Sequence, residues 1–302
     1  MSTIVPIPVL AAIGLIGGAL VAWVLARRDS GWAEVVPAPP GSVLVVDVRE
    51  ESFAALREFA EQAQAAPALR QDWVDEVFAQ LRGRWNAAEL WQLLASHLRP
   101  GTPGFWPGIT LRAEFQVLVC VDLRGCEVRD AIFRGVRFWG TARFDDVVFT
   151  GQVNFEQSWF AYHASFSRAQ FRAGADFEGA TFTGNTSFAG VTTGDGTGFD
   201  GARFSARTDF ADAAFAAGVS FLGTGFAGPT TFRDARFAAE ARFPDARFSG
   251  HADFAGATAG AFRFAGASAR TDVRVVRDWP AGVSLGEPRE RRPGYWAEVR
   301  ES

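Results

Sequence analysis

The sequence predicts an all-β solenoid over most of its length, preceded by an apolar N-terminal segment and a small, mainly helical module. Three observations predict the solenoid. Phenylalanine recurs as Phe133, Phe144, Phe155, Phe166, Phe177, Phe188, Phe199, Phe210, Phe221, Phe232, Phe243 and Phe254, a step of eleven without a miss. A second series follows the first by five residues: Phe138, Phe149, Phe160, Phe171, Phe182, Phe204, Phe215, Phe226, Phe237 and Phe248, with Thr193 and Ala259 as substitutes. Phe therefore fills 22 of 24 slots, which chance does not produce, and a period this short marks stacked repeats. The five-then-six spacing also fits neither the three-and-four pattern of a helix nor the strict alternation of an isolated strand.

Around each Phe the pattern is that of a short extended segment. Two residues earlier stands a small side chain, as at Ala142, Val153, Ala164, Ala175, Ala202, Ala213, Ala241 and Ala252. Side chains alternate along extended backbone, so both positions point inward. The residue between them points out and is polar in many repeats: Arg143, Asn154, Asp176, Arg203, Asp209, Arg242 and Asp253. Glycine often follows two residues after the Phe (Gly151, Gly179, Gly184, Gly201, Gly250, Gly256), where a corner would exploit its tolerance of positive φ.

At fragments such as Ala-Asp-Phe-Glu-Gly-Ala-Thr-Phe (175–182) and Ala-Arg-Phe-Pro-Asp-Ala-Arg-Phe (241–248), the chain resembles the Phe-rich branch of the pentapeptide-repeat family. The resemblance covers roughly half the chain and implies a right-handed quadrilateral β-helix, one repeat per side, with stacked Phe along its axis. One departure matters. Leu123, Val128, Phe133 and Phe138 keep a plain period of five, but later pairs add a residue in every second repeat. A two-sided coil of eleven would be too thin to hold stacked Phe. The spacing therefore predicts coils of about 22 residues with two opposite corners enlarged, and roughly six coils make a rod of about 30 Å at about 4.8 Å per strand.

The N-terminal part reads as follows. Ile4 to Ala26 are 23 residues without a charge, and as a helix they would span about 34 Å, enough for a bilayer. Arg27 and Arg28 follow this stretch rather than precede it, the reverse of a signal peptide. They predict a single-pass anchor over residues 1–29 in the cell membrane with the repeats on the cytoplasmic side. Gly14 and Gly18 have the GxxxG spacing that lets two membrane helices pack, a weak pointer to a homodimer beside the plain reading that glycine is common in such helices. Residues 30–41, with Pro37, Pro39, Pro40 and Gly41, read as a linker.

Residues 42–108 read as a mainly helical module. Ser42–Val48 has the look of a strand; Glu50–Ala65 and Asp72–Leu81 carry apolar helical faces; Asn86 and Glu89 suggest a capping box for a third helix ending near Leu98. The module is either a partner-binding domain or a spacer and cap. A solenoid needs caps because its ends expose apolar cross-sections and strand edges. The solenoid is expected over 109–270, with Ile109–Val119 as cap or first coil. The register fails at Phe262 and Phe264, and Val273, Val275, Val276, Trp279 and Val283 are expected to cover the far end. Residues 271–302 make this cap and a loosely held tail containing Arg289, Arg291, Arg292 and Pro293, with Tyr295 and Trp296 as residues able to dock.

No catalytic constellation stands out, and neither a cofactor nor a metal site is expected. His97, His163 and His251 are the only histidines; the last two lie eight repeats of eleven apart, in one outward column. That is about 19 Å, beyond any shared metal. Cys126 takes an inward slot and reads as a reduced core thiol, and with Cys120 it suits a reducing compartment. Gly194, Gly196 and Gly198 around Asp195 form a Gly-rich patch beside Thr193 without the Lys-Ser/Thr of a phosphate loop; a bulge or local loop is the plainer reading.

Some members of the family resembled imitate duplex DNA to protect type II topoisomerases. Between Asp122 and Phe264, however, 16 carboxylates face 14 arginines. At one charge per about 1.7 Å, a DNA-like rod of that length would need on the order of 17 net negative charges. A net charge of −4 for the whole chain equally fails to provide the basic face of a nucleic-acid binder. The reading favoured is a non-enzymatic, membrane-anchored scaffold for an unknown protein partner, with the DNA mimic as the alternative.

Overall fold

The computed structural model describes residues 11–16, 19–24, 27–28, 31–32, 36–37, 50–84, 87–291 and 294–301. The chain divides into two units, 1–46 and 47–302.

In the second unit the repeats wind into a β-solenoid of about eight turns. Each coil has four sides. The first face carries Thr110–Arg112, Asp130–Ile132 and Val153–Asn154, then continues through single bridges at Asp176 and Gly198 to Ser220. The second face runs from Val117–Val119 through Arg137–Trp139 and Trp159–Phe160 to Ser268–Arg270. The third runs from Ala142–Arg143 to Arg277–Asp278, and the fourth from Glu127–Val128 through Val148–Phe149 to Thr258–Arg263. Arg137 pairs with Trp159 and Phe138 with Phe160, a parallel step of 22 residues. One coil earlier Arg137 pairs with Val117, a step of 20. The enlarged coil and the plain period-five start are both present. About eight turns exceed the expected six because the first coil is built on Leu111, Leu118, Leu123 and Val128 instead of Phe, and further strands follow Phe254.

Four columns of side chains fill the shaft. Phe138, Phe160, Phe182, Phe204, Phe226 and Phe248 stack with centroids 4.4–5.4 Å apart. Phe144 to Phe254 stack at 4.8–4.9 Å. The column that begins at Phe133 continues past Phe243 to Phe264, still stacked at 5.0 Å. The register expected to fail at Phe264 thus shortens by one residue and holds. The fourth column has Phe149 on Phe171 and Phe215 on Phe237, with the buried Thr193 between the pairs.

Two kinds of corner turn the chain. At the five-residue corners the amide three residues after each Phe bonds back to its carbonyl, as Val136 to Phe133 (3.1 Å) and Ser158 to Phe155 (3.0 Å). The intervening residue lies at positive φ: Gly135 (63°), Asp146 (57°), Gln157 (56°), Gly179 (64°), Gly201 (65°). This is the geometry for which Gly and Asp are suited. The glycines Gly151, Gly184 and Gly250 serve a different purpose from the one expected. They sit on the six-residue corners at ordinary φ, where a Cβ would lie 2.5 Å from Tyr162 backbone at Gly184 and 2.5 Å from Gly228 backbone at Gly250. There the requirement is room for the coil below.

The helices α1 (Glu50–Ala65), α2 (Arg70–Leu81) and α3 (Ala88–Leu98) close the N-terminal end. Phe78 stacks toward Phe133, Trp91 Nε1 donates to the Val119 carbonyl (3.0 Å), and Gln71 bonds both the amide and the carbonyl of Thr110. Ile109–Val119 is therefore the first coil, and the helices are its cap. Ala87 stands at the N-cap of α3 without a side-chain bond; Asn86, of the expected capping box, lies outside the described residues. At the other end Trp279 lies 5.7 Å from Phe254 and 5.3 Å from Phe248. The tail is paired rather than loose: Tyr295–Glu301 adds antiparallel to Ser268–Arg270 and to Val283–Leu285. Val276 is 71% exposed and takes no part in covering the end.

In the first unit Ala11–Ile16 pairs antiparallel with Ala19–Val24, which pairs with Val36–Pro37. The membrane helix expected over Ile4–Ala26 is thus not what the described part of that stretch forms. An unbroken apolar run carries no periodicity that separates a helix from a buried strand, and Ala11–Ile16 and Ala19–Val24 take the strand. Gly14 faces Val21 across this pairing, so the GxxxG spacing has no helical meaning there. Among the described residues no helix is long and apolar enough to cross a membrane. Residues 4–10, 17–18 and 25–26, and the strand expected at Ser42–Val48, lie outside the described residues.

Substitutions at two positions test the packing. Phe199, 1% exposed between Phe177 and Phe221, should cost about 3–5 kcal/mol when replaced by Ala. Phe199→Asp should abolish cooperative unfolding by burying an unpaired charge; unchanged thermal melting of Phe199→Asp would sink the inward assignment. Thr193 has a buried hydroxyl without a hydrogen-bond partner in the protein. Thr193→Phe should join the two halves of its column and raise stability by about 1–2 kcal/mol in urea titration; a loss would mean that the neighbouring rings have already closed the space.

Candidate interaction surfaces

The inward positions of the coils are spent on packing, so chemistry is left to the outer faces. His163 is exposed, with Nδ1 2.8 Å from the Asn185 carbonyl, and His251 is half-buried four coils further along the same corner. His97 belongs to the helical cap, stacked on Trp106 at 4.0 Å with Nδ1 3.0 Å from the Gly104 carbonyl; burial lowers its pKa. Among the described residues no group of three or more His, Cys, Asp or Glu side chains is placed to hold a metal ion.

Cys126 is fully buried, and desolvation pushes its thiol up to about 12. Cys120 is only half-buried, and neither cysteine is in a disulfide. The Gly-rich patch is continuous with the solenoid rather than a bulge, since Asp176, Gly198 and Ser220 bridge at the ordinary 22-residue steps. Gly194 and Gly174 are required by crowding: a Cβ would lie 2.1 Å from the Arg172 carbonyl oxygen and 1.9 Å from that of Asp195.

The arginines divide into two groups. Arg124 with Asp122, Arg134 with Glu156, Arg168 with Asp146, Arg207 with Asp209 and Arg233 with Asp253 form ion pairs within or between coils. Such exposed pairs contribute at most about 1 kcal/mol each. Arg168 holds the Asp146 carboxyl below its usual range. By contrast, Arg137, Arg203 and Arg247 project from the second face, are exposed, and make no ion pair among the described residues. No carboxylate stands in their column, although Glu156, Glu178 and Asp200 line the adjoining corner.

The second face is also where aromatics outside the shaft gather, over its first three coils, around the buried Trp139. Trp139 packs edge-on against Trp159 (5.5 Å) and Tyr162 (5.7 Å), and Trp159 Nε1 donates to Thr183 Oγ1 (3.0 Å). Phe115, one coil below Gly135 on the adjoining corner, is 67% exposed. At the C-terminal end a cavity of about 200 Å³ is lined by Arg289, Arg291, Arg300, Glu287, Glu298 and Trp296. Its opposite charges interleave, and Arg300 pairs with Glu298 at 3.3 Å.

A four-sided β-solenoid with a Phe-filled shaft defines the class to which the second unit conforms. The family model described as pentapeptide repeats (9 copies) matches residues 120–159, 133–181 and 218–258. Neither a curated protein nor a solved structure matches the chain.

The thiols give a direct check on the interior. In the folded protein at about pH 8, iodoacetamide should modify Cys120 and spare Cys126, which stays protonated until the pH approaches about 12. Mass spectrometry should find both modified after denaturation; equal labelling in the native state would place Cys126 at the surface.

Proposed function

We propose that this chain is a non-enzymatic scaffold that presents the rigid outer faces of its solenoid to a protein partner. The observation that carries the reading is the filled shaft. The coils spend their inward positions on Phe, on Leu and Val in the first coil, and on small side chains, which leaves surface display as the use of the rod. The repeats matched by the family model support the same reading, since such solenoids are generally non-enzymatic.

The finer reading adds that the uncharged stretch Ile4–Ala26, followed by Arg27 and Arg28, attaches the scaffold to the cell membrane with the repeats on the cytoplasmic side. Its support is the sequence. The DNA-mimic alternative is disfavoured by near balance of charge, 16 carboxylates against 14 arginines from Asp122 to Phe264.

The experiment is crosslinking and mass spectrometry of the tagged full-length protein in its native cells, compared with a variant lacking residues 1–29. A reproducible partner lost with the deletion, together with carbonate-resistant membrane fractionation of the intact protein, is the expected result. Recovery of gyrase subunits by both forms would support the mimic instead.

A further inference from the structure

Phe115 is misplaced by two ordinary criteria. It is a large apolar side chain 67% exposed to solvent. It also sits at φ 55°, in the left-handed region that a bulky non-glycine residue seldom adopts. Later coils fill the same turn position with glycine (Gly135, Gly179, Gly201, Gly223) or with the polar Gln157 and Asp245, so Phe115 stands out as the large apolar residue in that column. The ring lies over Gly135, where a Cβ would stand 2.4 Å from Phe115 Cδ1, and the Arg134 guanidinium lies 5.8 Å from the ring. A residue held in a disfavoured conformation and in water is a pointer to use.

Its neighbours have matching chemistry. Arg137 stands between Val117 and Trp159 on the second face, exposed and without a carboxylate. Trp159 is half-buried beside Trp139 and Tyr162. Trp, Tyr and Arg are the side chains that dominate protein–protein binding energy, and a rigid sheet holds them at little entropic cost. The coils of this patch are about 4.8 Å apart, so it extends only about 10 Å along the rod.

We infer that this end of the second face, with Phe115, Arg137 and Trp159 at its centre, docks a protein segment that presents a carboxylate beside an aliphatic or aromatic side chain. The carboxylate would meet Arg137, which has no ion pair among the described residues, and the apolar side chain would lie against Phe115 and Trp159. An anionic polymer fits poorly. Glu114 and Glu156 stand on the adjoining corner, and Glu156 already neutralises Arg134 at 3.2 Å. The inference rests on the scaffold reading and adds to it the face and the chemistry of the partner.

The test pans a displayed random-peptide library against the full-length protein and measures binding of the enriched peptides, made synthetically, by fluorescence anisotropy. Enriched peptides should carry Asp or Glu within a few residues of an aliphatic or aromatic residue. Arg137→Glu and Phe115→Gly should each weaken binding about tenfold or more. Leu222→Glu, exposed elsewhere on the rod, should leave it unchanged. Phe115→Gly should not lower the melting temperature, because glycine suits the turn better, so lost binding cannot be ascribed to unfolding. Peptides bound with no sensitivity to Arg137 or Phe115 would overturn this patch while leaving the scaffold reading intact. No enriched peptide, or peptides without a carboxylate, would overturn the inference as well. So would Arg137-dependent binding of duplex DNA or of phosphatidylserine vesicles, each of which would reassign the patch.

Discussion

The distance between neighbouring strands governs this molecule. Hydrogen bonding fixes adjacent strands about 4.8 Å apart, and the Phe rings of successive coils accept that spacing, with centroids at 4.7–5.0 Å along most of the column from Phe177 to Phe264. Near-parallel stacking is not the arrangement that ring quadrupoles favour most. Edges from the neighbouring columns supply the better contact: Phe166 meets Phe177 at 83° and Phe199 meets Phe210 at 85°. Parallel stacking up each column and edge-on packing between columns satisfy backbone and side chains with one pitch.

That pitch restricts every other choice. Once coils lie directly on one another, a corner residue has backbone beneath it, and Gly184, Gly194 and Gly250 are needed because a Cβ would enter the coil below. Corner polarity follows as well. Asn154, Asp176, Asp209 and Asp253 each accept the amide two residues on, tying the outward side chain to the turn that follows it. Many surface polar residues are thus engaged with their own backbone, and the surface charges available to a partner are fewer than composition suggests.

The shaft was legible in the sequence because periodicity reports what is buried. Eleven-residue spacing, the alternation of small residue and Phe, and the extra residue in every second repeat were sufficient to expect coils of 22 residues with two enlarged corners. Legibility ended where the period did. The first coil uses Leu and Val, so the number of turns was underestimated; the C-terminal cap adds an antiparallel strand that no repeat announces. In the apolar N-terminal stretch hydropathy does not distinguish a helix from the paired strands Ala11–Ile16 and Ala19–Val24. Some of the corner glycines answer to crowding rather than to turn conformation, a cause invisible until coils are stacked.

The outer surface was the least legible part, for a physical reason. Outward positions carry no packing constraint, so their residues follow no period and only a departure from the local rule is informative. Trp159 in an outward column and Phe115 at a turn position that other coils fill with glycine, Gln157 or Asp245 are departures of that kind. Their cost is local, one exposed ring and one unfavourable φ, and the stacked interior is stable enough to tolerate both. A scaffold whose stability comes from a repeated interior can hold costly residues on its exterior without losing its shape. In such a molecule function is to be sought where the repeat is broken on the outside, and structure where it is kept within.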